Sequence, residues 1–200
     1  MLLTHTRRTA RAPCRTPRVT TGTMRARARS LRRLSHENVM NMHDVIDDAS
    51  KEKLYMVMDY CPMGAIMETE KMPCAPLALD EARRLFGDTV VGLDYLHFQG
   101  VVHYDLKPDN ILIAEDGRAV ISDFGVSRVH PNKSDTTIGA PGTPTYTAPE
   151  VWGTGTYQAR KSDVWSLGVT LHAMVFGCLP FYAPNQQASD CSTPRSCALD

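Results

Sequence analysis

The sequence has six cysteines but no pair of them at C-x-x-C spacing, and no cluster of histidines accompanies them. A structural zinc site needs closely spaced thiolate or imidazole ligands. The pattern therefore excludes the common zinc-binding modules and gives no disulfide framework. It is typical of free thiols in a reducing compartment. We expect a cytoplasmic protein.

The chain also lacks a membrane-spanning run and, at its start, any acidic residue. No apolar stretch approaches the roughly 18 residues that a transmembrane helix needs, so we expect no transmembrane segment. Residues 1–36 hold ten arginines and no aspartate or glutamate, and the other residues offset that charge to give a formal net charge of zero. Such an arm is typical of an organelle-import presequence, a nucleic-acid or membrane-surface tail, or a solvated end. Because no aromatics are interleaved with the arginines, we expect no specific nucleic-acid partner.

Two short polar motifs are joined by a predicted β-hairpin. The first is His103-Tyr104-Asp105-Leu106-Lys107-Pro108-Asp109-Asn110, and the second is Asp123-Phe124-Gly125. Between them, residues 111–113 and 119–121 read as short apolar strands around the turn Glu115-Asp116-Gly117. The hairpin is expected to bring Asn110 and Asp123 side by side. A carboxylate, a cation and two oxygen ligands at this spacing indicate phosphoryl transfer to a hydroxyl.

These motifs resemble a eukaryotic protein kinase domain over residues 31–182. Residues 107–110 and 142–150 resemble the serine/threonine branch, and residues 54–60, 64–68 and 163–171 are similar to calcium/calmodulin-dependent protein kinase kinases. The resemblance implies an α+β, kinase-like fold that is truncated, with a remnant of the small β lobe and most of the upper part of the helical large lobe. The implied divisions are a basic, disordered arm (1–30), the small-lobe remnant (31–60), a hinge or linker (61–76), the large lobe (77–182) and a disordered tail (183–200).

The resemblance also implies a role for each site residue. Asp105 would accept the proton of the substrate hydroxyl, Lys107 would neutralise the γ-phosphate of ATP, and Thr143 would bond to both. Asn110 and Asp123 would hold Mg²⁺, which prefers carboxylate and amide oxygens.

The nucleotide pocket is expected on the other side of the same cleft. Met58 would be the gatekeeper, the backbone of Asp59 and Cys61 would meet the adenine edge, and Leu112 would form the floor. Outside the kinase context these residues read as plain strand core. The implied partners are a protein substrate, which can itself be a kinase, and calmodulin, for which the sequence shows no site.

The secondary structure around the motifs follows the hydrophobic periodicity. Strands are predicted over 39–47 and 53–60, and helices over 77–99 and 163–176. In the first helix Phe86, Val90, Leu93 and His97 share the predicted apolar face; the second is apolar almost all round and is expected to be buried. Asp163 either binds backbone N–H groups of residues 103–110, the catalytic loop, as the resemblance implies, or simply caps the second helix.

The chain departs from the kinase pattern at several points. No Gly-x-Gly-x-x-Gly or Val-Ala-x-Lys occurs in the 200 residues, and Arg27 stands where active kinases have an ion-pairing glutamate. A catalytically impaired remnant that acts as a pseudokinase-like binding module, or a truncated gene model, is therefore an alternative function. Tyr104 occupies the position of an arginine that pairs with phosphate in regulated kinases. We expect that phosphorylation of Thr136 or Thr137 does not switch activity by that route.

Overall fold

The computed structural model describes residues 2–4, 31–48, 53–130, 135–139 and 142–181. Small antiparallel sheets and two long helices make up these residues, and the predicted α+β class is confirmed. Most of the predicted arm and the whole predicted tail, 183–200, lie outside the described residues. The described helices include none that is long and apolar enough to cross a bilayer.

One sheet has three strands in the order β1-β3-β2, all antiparallel. Its members are β1 (Leu2–Thr4), β2 (Met42–Asp48) and β3 (Lys53–Met58). The prediction of a disordered arm is wrong for β1, which pairs with residues 55–57 of β3. The backbone groups on that edge of β3 need partners, and the extended start of the chain supplies them.

Strand β2 begins three residues later than predicted because Val39 belongs to a different contact. Val39 is buried and forms a parallel bridge with Ile121. The neighbouring residues continue this contact, since Met40 N–H donates to the Ile121 carbonyl and Ile121 N–H donates to the Asn38 carbonyl. Residues 38–40 are thus fixed to the large lobe, and the strand starts beyond them.

The first long helix, α1, spans Leu79–Phe98, inside the predicted range. It ends at Phe98, and Gly100 just beyond it has φ +75° and donates its N–H to the His97 carbonyl. The predicted apolar face is wrong in part, because Val90 is 39% exposed and only Leu93 of the four predicted residues is fully buried. The face that packs inward consists of Ala82, Leu85, Thr89, Gly92, Leu93 and Leu96.

Two positions without a large apolar side chain, Thr89 and Gly92, explain why the buried face of α1 differs from the predicted one. The Thr89 hydroxyl donates to the Leu85 carbonyl at 2.7 Å, so its side chain is satisfied inside the core. Gly92 lets the backbone of Asn38 come close: a Cβ there would lie 2.5 Å from the Asn38 carbonyl oxygen. A search for apolar side chains alone passes over both residues.

The second long helix, α2, spans Ala159–Phe176 and begins four residues before the predicted start. Asp135 makes this possible from a distant part of the chain. Its carbonyl accepts the N–H of Ala159, and its carboxylate accepts the N–H of Arg160. These bonds satisfy donors that the first turn of a helix leaves unpaired.

The prediction that the second helix is buried all round is wrong. One face of α2 packs against α1 and the catalytic loop, and Thr170, Ala173 and Met174 are almost fully buried. The opposite face is open to solvent, with Val164 at 57% and Phe176 at 46% exposure. The α2 helix ends at Gly177, which adopts a left-handed conformation with φ +68°.

Candidate active site

The predicted hairpin is present and positions the site. After the short strand β4 (Val101–Val102), strand β5 (Ile111–Ile113) pairs antiparallel with β6 (Ala119–Ile121), with Ile111 opposite Ile121. The next pair outward is Asn110 with Ser122, whose N–H donates to the Asn110 carbonyl at 2.8 Å. Asp123 therefore follows directly at the end of the hairpin at which Asn110 begins.

Asp105 is held by Thr143 through two hydrogen bonds. Its Oδ1 accepts the backbone N–H of Thr143 at 2.8 Å and the Thr143 hydroxyl at 2.7 Å. Lys107 Nζ donates to the same hydroxyl at 2.9 Å and lies 3.7 Å from Asp105 Oδ2. The structure thus brings the three predicted catalytic residues together. Both partners of the charged pair are less than a quarter exposed, so solvent screens their interaction only in part.

Asn110 completes the arrangement around Asp105. Its side-chain Nδ2 donates to the Asp105 carbonyl at 2.8 Å and to Asp105 Oδ2 at 3.2 Å. Because the nitrogen is bound to Asp105, the amide oxygen is the atom left for another ligand. The Asn110 side chain is buried, which restricts it to this orientation.

Asp123 stands at the mouth of the site in a left-handed conformation. Its φ is +56°, its side chain is exposed, and its Oδ1 accepts the N–H of Gly125. A carboxylate oxygen here and an amide oxygen at Asn110 are the donor types that Mg²⁺ prefers. No cluster of three His, Cys, Asp or Glu side chains able to hold a metal occurs in the described ranges.

Asp163, one turn into α2, binds the backbone of the catalytic loop. The carboxylate accepts the backbone N–H of His103 and of Tyr104, each at 2.8 Å. The bonds implied by the kinase resemblance are present, and the alternative of a capping aspartate is wrong, because Gln158 is the N-cap of α2. His97 Nε2 lies 2.9 Å from the same carboxylate, a contact that sequence analysis missed.

Three of the predicted nucleotide-binding residues, Met58, Asp59 and Cys61, lie where β3 passes into the linker. Met58 ends β3 and is half-buried, while the Asp59 carboxylate accepts a hydrogen bond from Asn41. Burial raises the pKa of the Cys61 thiol, and the negative charge of Asp59 adds to this. Leu112 lies in the middle of β5 and is bridged to Ala65 of the linker. Contact of these residues with adenine stays a prediction.

A cavity of about 910 Å³ adjoins the linker and is separate from the catalytic residues. Ser35, His36, Glu37, Val39, Asn41, Asp59, Tyr60, Cys61, Ala114, Glu115, Asp116, Arg118 and Val120 line it. Asp59 and Cys61, two of the predicted nucleotide-binding residues, line it, but the described lining includes neither Met58 nor Leu112 nor any of the catalytic and metal-binding residues above. The cavity therefore lies outside the catalytic site.

A second polar cluster connects the linker to the catalytic loop, and sequence analysis missed it. The Thr69 N–H donates to Asp109 Oδ1 at 3.0 Å, its hydroxyl bonds to Asp109 Oδ2, and the same hydroxyl lies 3.0 Å from the Tyr146 hydroxyl. Burial raises the pKa of Tyr146 to about 12. The only signal in the sequence was the position of Asp109 inside the first motif. The threonine that holds it lies 40 residues away.

Comparison with known proteins agrees with this geometry. A family model described as "Protein kinase domain" matches residues 15–197. Similar curated proteins include a calcium/calmodulin-dependent protein kinase kinase from Caenorhabditis elegans, 43% identical over 76% of this chain and 28% of that protein. Serine/threonine-protein kinase GRIK1 from Arabidopsis thaliana is 40% identical over 78% of this chain and 39% of its own length. Human serine/threonine-protein kinase STK11 is 40% identical over 78% of this chain and 36% of its own length.

The chain therefore spans between about a quarter and two-fifths of the length of the relatives that it matches. The matched part includes the catalytic loop, the hairpin and α2, which the structure assembles into one site. This chain belongs to the protein kinase family.

Proposed function

We propose that the chain carries the catalytic loop and substrate platform of a serine/threonine protein kinase of the calmodulin-kinase-kinase type. The observation that supports this most directly is the double hydrogen bond from Thr143 to Asp105, with Lys107 on the same hydroxyl. A carboxylate and an ammonium joined through one hydroxyl can accept a proton and neutralise phosphate charge at adjacent points.

In the proposed reaction, a serine or threonine hydroxyl of the substrate gives its proton to the Asp105 carboxylate as its oxygen attacks the γ-phosphorus of ATP. The bond from that phosphorus to the β–γ bridging oxygen breaks, and ADP leaves. Thr143 and Asn110 fix the carboxylate, so its direction is set before the substrate arrives. Lys107 neutralises negative charge on the transferred group. Magnesium, when bound with ATP, would shield the phosphate charges, and Asn110 and Asp123 are the residues that would hold it.

The substrate is proposed to be another protein, in line with the name of the C. elegans relative, a kinase of kinases. Residues 142–147 contact both Asp105 and α2, because the Thr143 N–H donates to Asp105 Oδ1 and Ser166 Oγ donates to the Tyr146 carbonyl. A substrate backbone laid along these residues would reach Asp105. Calmodulin is proposed as a partner because it appears in the name of the same relative. The cytoplasm is proposed as the location.

A non-catalytic binding module is the second proposal. It is favoured by the lack of Gly-x-Gly-x-x-Gly and Val-Ala-x-Lys in the 200 residues. Positioning of the reactants can contribute roughly 7–11 kcal/mol to lowering a barrier, and those two motifs position the nucleotide in the kinases that have them. Under this proposal the protein surface around residues 142–147 binds a partner without phosphorylating it.

The two proposals are separated by a transfer assay with magnesium, radiolabelled ATP and a generic protein substrate. Asp105→Asn keeps the size of the side chain and removes the proton acceptor, and it should lower transfer by about 10²- to 10⁴-fold. Asp116→Asn is the matched control, since Asp116 is exposed in the turn of the same hairpin. If the native chain transfers no more phosphate than Asp105→Asn, the kinase proposal is rejected in favour of the binding module.

A further inference from the structure

Tyr104 makes side-chain contacts that the kinase resemblance does not supply, because arginine is the usual residue at its position. The ring is buried, with 6% exposure. Its hydroxyl lies 2.9 Å from His130 Nε2, and the Arg128 guanidinium carbon lies 5.2 Å from the ring centre. Both partners belong to the activation segment, which we define as residues 123–150. A phenol thus joins the catalytic loop to that segment directly, through a hydrogen bond and a ring contact.

The two partners extend the connection further along the segment. Arg128 donates to the Thr137 hydroxyl at 3.3 Å, which links strand β7 (Arg128–Val129) to strand β8 (Thr136–Thr137). His130 donates its backbone N–H to the Gly100 carbonyl at 2.7 Å. The side chain of Tyr104 therefore contacts two residues that are themselves bound elsewhere, Arg128 to Thr137 and His130 to Gly100.

The backbone of Tyr104 touches the far end of the same segment. Its φ is +67° and Asp163 accepts its N–H, while its carbonyl oxygen lies next to Gly142. A Cβ on Gly142 would lie 2.1 Å from that carbonyl oxygen, so the two chains are in direct contact. The next residue on each side is a catalytic one, namely Asp105 and Thr143. Movement of the segment away from Tyr104 would separate that pair.

We propose that Tyr104 is a positioning residue that holds the activation segment against the catalytic loop without phosphorylation. The phenol forms a hydrogen bond and a cation–π contact where an arginine would require a phosphate as its partner. A phosphate on Thr137 would attract Arg128 away from the ring, so phosphorylation competes with this contact. The proposal rests on the proposed kinase function only for its kinetic consequence, because the contacts are made by side chains of the chain itself.

Hydrogen–deuterium exchange on the full chain tests the proposal without a kinase assay. The protein is treated with phosphatase, and Tyr104→Phe is compared with the native chain. Loss of one hydroxyl bond should speed exchange of amides in residues 126–130 and 135–139 by about three- to tenfold. Tyr95→Phe is the matched control, since its hydroxyl bonds to the Ser35 N–H away from the segment. It should leave those amides unchanged.

A second variant separates positioning from plain packing. Tyr104→Arg should lose protection in residues 135–139 after phosphatase treatment and regain it with Thr137→Glu, while the native chain keeps its protection throughout. The proposal is overturned if the native chain loses protection on phosphatase treatment, or if Tyr104→Phe exchanges like the control. If Tyr104→Phe does not fold, the phosphatase result on the native chain decides alone.

Kinetics then distinguish this proposal from the function on which it draws. If the chain transfers phosphate, Tyr104→Phe should lower kcat about three- to tenfold and leave the KM for ATP unchanged, because the contact orients Asp105 and touches no nucleotide residue. If neither form transfers phosphate but the exchange difference is present, the kinase proposal fails and the positioning role stands.

Discussion

The carboxylate of Asp163 accepts the backbone N–H of Tyr104 at 2.8 Å, across 59 residues of sequence. Tyr104 has a left-handed backbone, which an L-residue other than glycine, asparagine or aspartate adopts only under constraint. The aspartate supplies that constraint, because it also binds the N–H of His103 and is itself almost fully buried. The conformation of the catalytic loop is therefore set by a residue on α2 and transmitted to Asp105 by the chain.

Asp163→Asn is expected to destabilise the fold as well as the site. The substitution replaces one of the two acceptor oxygens by an NH₂ group that faces a buried N–H, so at least one donor loses its partner. The expected cost is about 2–4 kcal/mol in the free energy of unfolding. Urea unfolding followed by circular dichroism measures it. Asp94→Asn, at an exposed position on α1, is the control and should stay within about 0.5 kcal/mol. Equal stability of the two variants would contradict the role of Asp163.

Local sequence signals predicted the hairpin but left the role of Asp163 open. The sequence of residues 111–121 predicts the hairpin by itself, because an Asp-Gly turn between two apolar triplets allows one register of strand pairing. The choice between a cap and a loop anchor depends on whether Asp135 occupies the start of α2. That contact joins parts of the chain 25 residues apart, and no periodicity within the helix reports it.

The inward face of α1 shows a second limit. The prediction followed large apolar residues, yet Thr89 and Gly92 lie in the core and Val90 does not. Threonine is accepted there because the helix itself satisfies its hydroxyl. Glycine is required because the backbone of Asn38 crosses at that point. The reason for Gly92 depends on packing against another element, which the sequence of one helix cannot express.

Gly92→Ala should destabilise the protein even though alanine is the better helix former. The added Cβ would lie 2.5 Å from the Asn38 carbonyl oxygen, so the contact between α1 and residues 38–40 must open. We expect a loss of about 1–3 kcal/mol from the overpacking. Gly87→Ala on the same helix is the matched control, since its Cβ would meet nothing within 4 Å. That variant should gain up to about 1 kcal/mol. Thermal unfolding of the pair measures both, and a gain at both positions would contradict the packing seen here.

Thr143→Val should impair phosphoryl transfer more than Thr143→Ser. Valine keeps the shape of threonine but removes the hydroxyl that joins Lys107 to Asp105, whereas serine keeps it. A hydrogen bond to a charged group is worth about 1.5–3 kcal/mol, so kcat should fall by about 10- to 100-fold in the valine variant. Steady-state kinetics with saturating ATP give the comparison. Similar values for the two variants would show that the hydroxyl does not position these groups.

Stability should fall steeply at alkaline pH because of two buried tyrosines. Burial raises the pKa of Tyr104 and of Tyr146 to about 12, while an unfolded chain releases the phenol proton near pH 10. Between these values the unfolded state binds fewer protons than the folded state, so the free energy of unfolding decreases as pH rises. The contribution of each phenol is therefore complete below about pH 10 and is lost as pH rises toward 12. Urea unfolding midpoints at pH 9 and pH 11 measure the change.

Tyr146→Phe isolates one of the two phenols. It should be less stable than the native chain at pH 9, because Thr69 loses a hydrogen-bond partner. It should also lose less stability between pH 9 and pH 11, because a group that titrates in only one state has been removed. Tyr60→Phe is the control: the Tyr60 side chain is 66% exposed, so its removal should leave the alkaline slope unchanged. If the slope of Tyr146→Phe equals that of the native chain, the Tyr146 phenol titrates alike in the folded and unfolded states, and its burial does not stabilise the junction between linker and catalytic loop.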